Sequence, residues 1–167
     1  MRLERFLPAL LLVLAGAAQS QVADVDPDWR EAEAPPPPAL RTTGLIPLDI
    51  PRSALRFGVD PASVAIGSDG IVRYVVVATS STGTVNAMYE GIRCTTGEFK
   101  MYARYNPGSG WARTQGLEWL PLQDQQHSRH TLAIARNGAC LGRAPNRSPA
   151  QIQRDLRAPA DTRFNNN

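Results

Sequence analysis

The chain has 167 residues, of which 43% are hydrophobic and 20% charged, with a formal net charge of +3. That is enough chain for one domain with a packed core. The positive charge is too small and too dispersed for a nucleic-acid binder, which would show a Lys/Arg block. Two cysteines do not make a zinc site, and no phosphate loop, dinucleotide fingerprint or G-x-S-x-G elbow occurs, so no cofactor is expected.

Residues 1–20 read as a secretory signal peptide. Arg2 and Arg5 supply the positive end, Phe6 to Leu14 the short apolar core, and small residues follow, with cleavage expected near Ala17 to Ser20. The apolar run is shorter than the roughly 20 residues that span a bilayer, and no cysteine follows it to carry a lipid. The expectation is a periplasmic or secreted bacterial protein with no transmembrane span after cleavage. Residues 21–43 form an arm, acidic at Asp24, Asp26, Asp28, Glu31 and Glu33 and then Pro35-Pro36-Pro37-Pro38. Four prolines cannot enter a helix interior or donate to a sheet ladder and favour polyproline II. The plainer reading is an arm packed on the domain or left mobile, with Trp29 as its anchor; the sharper one is a docking ligand for a partner's groove.

Residues 44–145 read as the β-rich domain. The segment at 45–50 (LIPLDI) carries Pro47 and is restricted to a sheet edge. Short strands are expected at 55–60 and 63–67, and Ser68-Asp69-Gly70 turns the chain into the central stretch, 71–105. That stretch has three β-branched and aromatic runs parted by glycine turns at Gly83 and Gly97. Val75, Val76 and Val77 break strict alternation, which predicts a central strand covered on both sides.

If both turns hold two residues, Val77 faces Met88, Val75 faces Glu90 and Arg73 faces Ile92. In the second hairpin Cys94 faces Phe99, Ile92 faces Met101 and Glu90 faces Ala103. Arg73 and Glu90 then share a face as a diagonal, partly buried pair, which is either self-satisfying or a catalytic or ligand carboxylate with its cation. The other face gathers Arg93, Lys100 and Arg104 beside Tyr89 and Tyr102. Lys100 is the only lysine of the chain. This cluster reads either as a solvated outer face or as a seat for an anion or an acidic partner. A one-residue slip would exchange every assignment.

After a loop at 106–110, Trp111 and Trp119 flank a returning segment with Leu117, Trp119 and Leu120 as expected core. His127 and His130 are the only histidines and lie in a polar stretch, which reads as solvated surface; no neighbouring Cys, Asp or Glu completes a metal site. Thr131 to Arg136 is a short helix or a last strand, with helix favoured. Cys94 and Cys140 make one plausible disulfide in an oxidising compartment. Residues 146–167 are a short helix and tail: Ser148 caps, Pro149 fits the first turn, Gln151 can close a capping box, and Ile152 and Leu156 share a face ended by Pro159.

On RYVVV at 73–77, NAMYEGIRC at 86–94, FKMYARY at 99–105 and Trp111, the chain resembles the cryptic neisserial protein-like family of small exported bacterial envelope proteins. The resemblance implies export and a β-rich domain; it implies no activity and no functional residues. The reading as a whole is a mainly β (α+β) protein: an antiparallel β-meander with one or two short C-terminal helices, closed by Cys94–Cys140. Three functions fit it: a non-enzymatic interaction or accessory protein with an envelope partner, a periplasmic binder of a small anionic ligand on the Tyr89/Arg93/Lys100/Tyr102/Arg104 face, and a hydrolase using Glu90.

Overall fold

The computed structural model describes residues 26–115, 118–123 and 129–158. The expectations for the leader at 1–20, for Leu117, for His127, for Pro159 and for the C-terminal tail lie outside the described residues.

The strands are β1 (Ile46–Leu48), β2 (Arg56–Val59), β3 (Ala65–Ile66), β4 (Val72–Thr79), β5 (Val85–Arg93), β6 (Glu98–Asn106), β7 (Gly110–Arg113) and β8 (Leu120–Pro121). They form one antiparallel sheet in the order β1-β2-β4-β5-β6-β7, with β3 paired to the start of β4 and β8 to the start of β6. β1, which holds Pro47, is an edge strand, where a missing N–H does least harm. β4 is central and is buried along nearly its whole length, because one face lies under the C-terminal helices and the other under the N-terminal arm. This is the physical cause of its unbroken VRYVVVAT run: a strand covered on both sides has no need of a polar face.

A short 3-10 turn, Pro61–Ser63, links β2 to β3. Asp60 caps it by accepting from the Ala62 N–H at 3.0 Å, and the Ser63 hydroxyl accepts from the Val75 N–H at 2.7 Å, fastening the loop to β4. The C-terminal part begins with α1 (Arg129–Ile134), widens through a turn at Ala135–Ala139, and passes a small hairpin of β9 (Cys140–Leu141) and β10 (Ala144–Pro145). It ends in α2 (Pro149–Arg157), where the Ser148 hydroxyl accepts from the Gln151 N–H at 3.1 Å. The Gln151 side chain donates to Asp155 at 2.6 Å, so the reciprocal half of the expected capping box is not made. Ile152 and Leu156 enter the core with Ile134, Val72, Val76 and Phe99.

Cys94 and Cys140 form a disulfide with Cα atoms 5.7 Å apart, joining the β5–β6 turn to the helical part across a separation of 46 residues. The linkage expected from the sequence is therefore present.

Both hairpin registers differ from the two-residue expectation. The first loop is longer: the Ser80 N–H donates to Thr84 O and Gly83 to Ser80 O, so Thr79 pairs with Val85. Tyr74 therefore faces Glu90, and Arg73 faces Gly91. This odd shift is the slip that exchanges faces, so Arg73 and Glu90 do not form a pair; they lie on opposite sides of the sheet. The second loop holds Cys94 to Gly97, which pairs Arg93 with Glu98, Ile92 with Phe99 and Glu90 with Met101. An even shift keeps the faces as expected up to Met101. A bulge then places both Tyr102 and Ala103 opposite Tyr89, and beyond it Arg104 pairs with Met88. Arg104 is thereby turned to the helix side, where it is exposed and donates to Met101 Sδ at 3.9 Å. Leu120, expected in the core, is 45% exposed on the short β8.

Candidate functional site: the arm-covered sheet face

From Asp26 to Leu45 the chain runs across the face of Val75, Val77, Ala87, Tyr89, Tyr102 and Ala103. It makes no strand pairing there. It is held instead at discrete points, and each follows from a residue type. Trp29 donates its indole N–H to Asp69 O at 2.9 Å, stands edge-on to Trp119 at 6.3 Å, and has the Arg93 guanidinium 3.6 Å from its ring centroid. Such a cation over an indole is attracted by the ring quadrupole.

Two residues on, Glu31 receives three donors: Lys100 Nζ at 2.5 Å, the Tyr102 hydroxyl at 2.9 Å and the Trp119 indole N–H at 3.2 Å. Three charge-assisted or aromatic donors on one carboxylate constitute a formed anion seat. The next residue, Ala32, is held on both sides of its peptide: its N–H donates to Asp69 Oδ2 at 3.0 Å and its carbonyl accepts from Arg73 Nη2 at 3.2 Å. Arg73 and Asp69 are themselves joined at 2.6 Å. Burial pushes the Asp69 carboxyl up, but the Arg73 hydrogen bond and charge and the N–H groups of Ile71 and Ala32 outweigh it and hold it below the usual carboxylate range. At the far end Trp111, edge-on to Tyr105, donates to Pro38 O at 2.8 Å.

Tyr102 shares this face with Lys100 by ordinary alternation, and it packs down on the sheet because position 91 is glycine. A Cβ at Gly91 would stand 2.8 Å from both Tyr102 Cε2 and Ile71 Cγ2, so the tyrosine ring occupies the room a side chain would take. Burial, acting first, together with Glu31 raises the Tyr102 phenol well above its ordinary value. It remains a neutral donor to that carboxylate.

Of the expected face, Tyr89, Arg93, Lys100 and Tyr102 lie here together and Arg104 does not. Between the proline run and the sheet remains a cleft of about 300 Å³, lined by Glu31, Glu33, Pro36, Tyr89, Lys100 and Arg113.

The opposite face holds what the sequence reading missed. Glu90 is wholly buried and accepts from the Tyr74 hydroxyl at 3.0 Å and the Thr131 hydroxyl at 3.2 Å; His130 Nε2 lies 3.0 and 3.2 Å from its two oxygens. His130 is buried, with its ring stacked on Phe57 at 5.1 Å. Burial first, and then the charge of Glu90, pushes the Tyr74 phenol well up, which keeps its proton on the donor side of that bond. Histidine at position 130 and isoleucine at 134 stand four residues apart and share the inner face of α1; that spacing was the available signal, masked by the polar residues before it. Glu90 does not line the cleft. Among the described residues no group of three His, Cys, Asp or Glu side chains is placed to hold a metal ion.

A disulfide-closed antiparallel sheet, roofed by helices on one side and strapped by an acidic, proline-bearing arm on the other, defines a small β-rich domain. The family model described as the CNP1-like family matches residues 24–157, and the chain belongs to that family. No curated protein and no solved structure matches it.

Proposed function

We propose that this chain is a non-enzymatic interaction domain of the bacterial cell envelope, exported behind the leader at 1–20, and that the arm-covered face is its recognition surface. One observation carries the reading: Lys100, Tyr102 and Trp119 converge on the carboxylate of a segment that no β-ladder ties down. An extended polyproline stretch against tyrosine and tryptophan, with peptide groups held by side chains, follows the logic by which domains recognise short linear segments. In this chain the segment is its own. The disulfide favours an oxidising compartment, and no helix among the described residues is long and apolar enough to cross a membrane.

Binding of a small anion is a second reading of the same face. It is favoured by the cleft, whose lining includes Tyr89, Lys100 and Arg113. A hydrolase using Glu90 has no comparable support, since that carboxylate is saturated with donors and closed off.

The test uses the full chain carrying Trp29→Ala and Glu31→Gln, which loosens its own arm, and a labelled peptide of residues 26–40. Saturable binding, weakened at least about tenfold when the peptide carries Glu31→Gln, is the expected result. Equal binding of the two peptides, or none, would overturn the proposal.

A further inference from the structure

We infer that the partner for this face is a second copy of the chain, which takes it by reciprocal exchange of residues 27–40. The inference deepens the recognition-surface reading and rests on it. Four observations carry it. First, the segment known to fit the face is this chain's own: Trp29, Glu31, Ala32 and Pro38 each have a formed partner on the sheet. An identical segment from another copy fits equally well.

Second, the arm lifts without breaking any ladder, because its contacts are side-chain hydrogen bonds, ring contacts and apolar packing. Third, a hinge is present. Arg41, Thr42, Thr43 and Gly44 are exposed, and the chain bends at Thr43 and Gly44, where Gly44 has φ +69° in open space. Glycine leaves that conformation for an extended one at little cost.

Fourth, the arm keeps its reach once lifted. Prolines 35–38 hold it extended, and at about 3.1 Å per residue it projects roughly 40 Å. A closed monomer and an exchanged pair contain the same arm–face contacts, so the hinge and the protein concentration decide between them.

A charge exchange tests this directly. Full chains carrying Glu31→Lys or Lys100→Glu each oppose like charges at the seat. In an exchanged pair of the two variants, both seats regain opposite charges. Each variant alone should sediment as a monomer at about 100 µM, and the equimolar mixture should shift to a heterodimer, with an apparent dissociation constant at least about tenfold below that of either alone. In a second experiment, deletion of Thr42 and Thr43 from the parent chain shortens the hinge, so that the arm no longer spans its own face; a dimer is expected. A mixture and a deletion variant that both remain monomeric would overturn the exchange. If the labelled peptide still binds in that case, the recognition surface stands with a foreign acidic segment as its occupant; if it does not, both readings fall together.

Discussion

At the scale of single residues, Glu90 shows why chemical type alone misleads. A carboxylate in an apolar strand face invites a catalytic reading, yet here it is the acceptor on which Tyr74, Thr131 and His130 converge. A buried carboxylate is tolerable only when its oxygens are satisfied, and removing one partner leaves the remainder unsatisfied. His130→Ala also deletes the ring stacked on Phe57. It is expected to lower stability by about 3 kcal/mol, with a smaller loss of about 1–2 kcal/mol for Thr131→Val. Urea unfolding followed by circular dichroism checks both. A His130→Ala chain as stable as the parent would mean that Glu90 does not depend on the histidine.

At the scale of elements, the Asp69 turn is the joint between arm and sheet. Asp69 holds the Ile71 and Ala32 N–H groups and Arg73 at once, and its folded-state pKa is depressed. The sign of the pH effect follows. Stability from this group is fully present above the unfolded aspartate value, near 3.9. It is lost as pH falls through the lower folded value, because protonation then favours the unfolded chain. Acid unfolding of the parent should therefore carry a component below about pH 4 that Asp69→Asn lacks. Thermal unfolding of the two chains between pH 6 and 3 measures it, and parallel profiles would contradict the assignment.

At the scale of the whole molecule, Cys94–Cys140 fastens the meander to the helical part, closing a separation of 46 residues. In the chain-entropy picture a loop of that size contributes roughly 4 kcal/mol. Reduction is expected to lower the thermal midpoint markedly while leaving the arm seat intact below it. The reduced chain should therefore bind the arm peptide like the oxidised one, once both carry Trp29→Ala and Glu31→Gln. Fluorescence titration below the reduced chain's transition checks this.

Much of this was legible in the residues. The strand runs, the central position of β4, the edge placement of Pro47, the Ser148 cap and the disulfide all rest on local chemistry: β-branching, a missing N–H, a hydroxyl before a proline, a single pair of cysteines. Glycine turns can be located from sequence, but their length is set by how many residues the flanking strands leave unpaired. That length is a product of cross-strand packing, and one residue of it decides which side Arg73 faces. The bulge at Tyr102 is likewise tertiary, arising where a tyrosine ring finds room over Gly91. It is what removed Arg104 from the basic face.

The order of residues by itself determined the kind of protein: a sheet-forming chain with an acidic proline arm and a pair of cysteines, because backbone preferences and patterning act over a few residues. Only the tertiary structure decided that Glu31 sits on Lys100, Tyr102 and Trp119 and that His130 meets Glu90. Those contacts join residues 69, 71, 88 and 40 positions apart. At such separations partners are chosen by register and by which face each layer covers, and neither quantity is written in any local stretch of the chain.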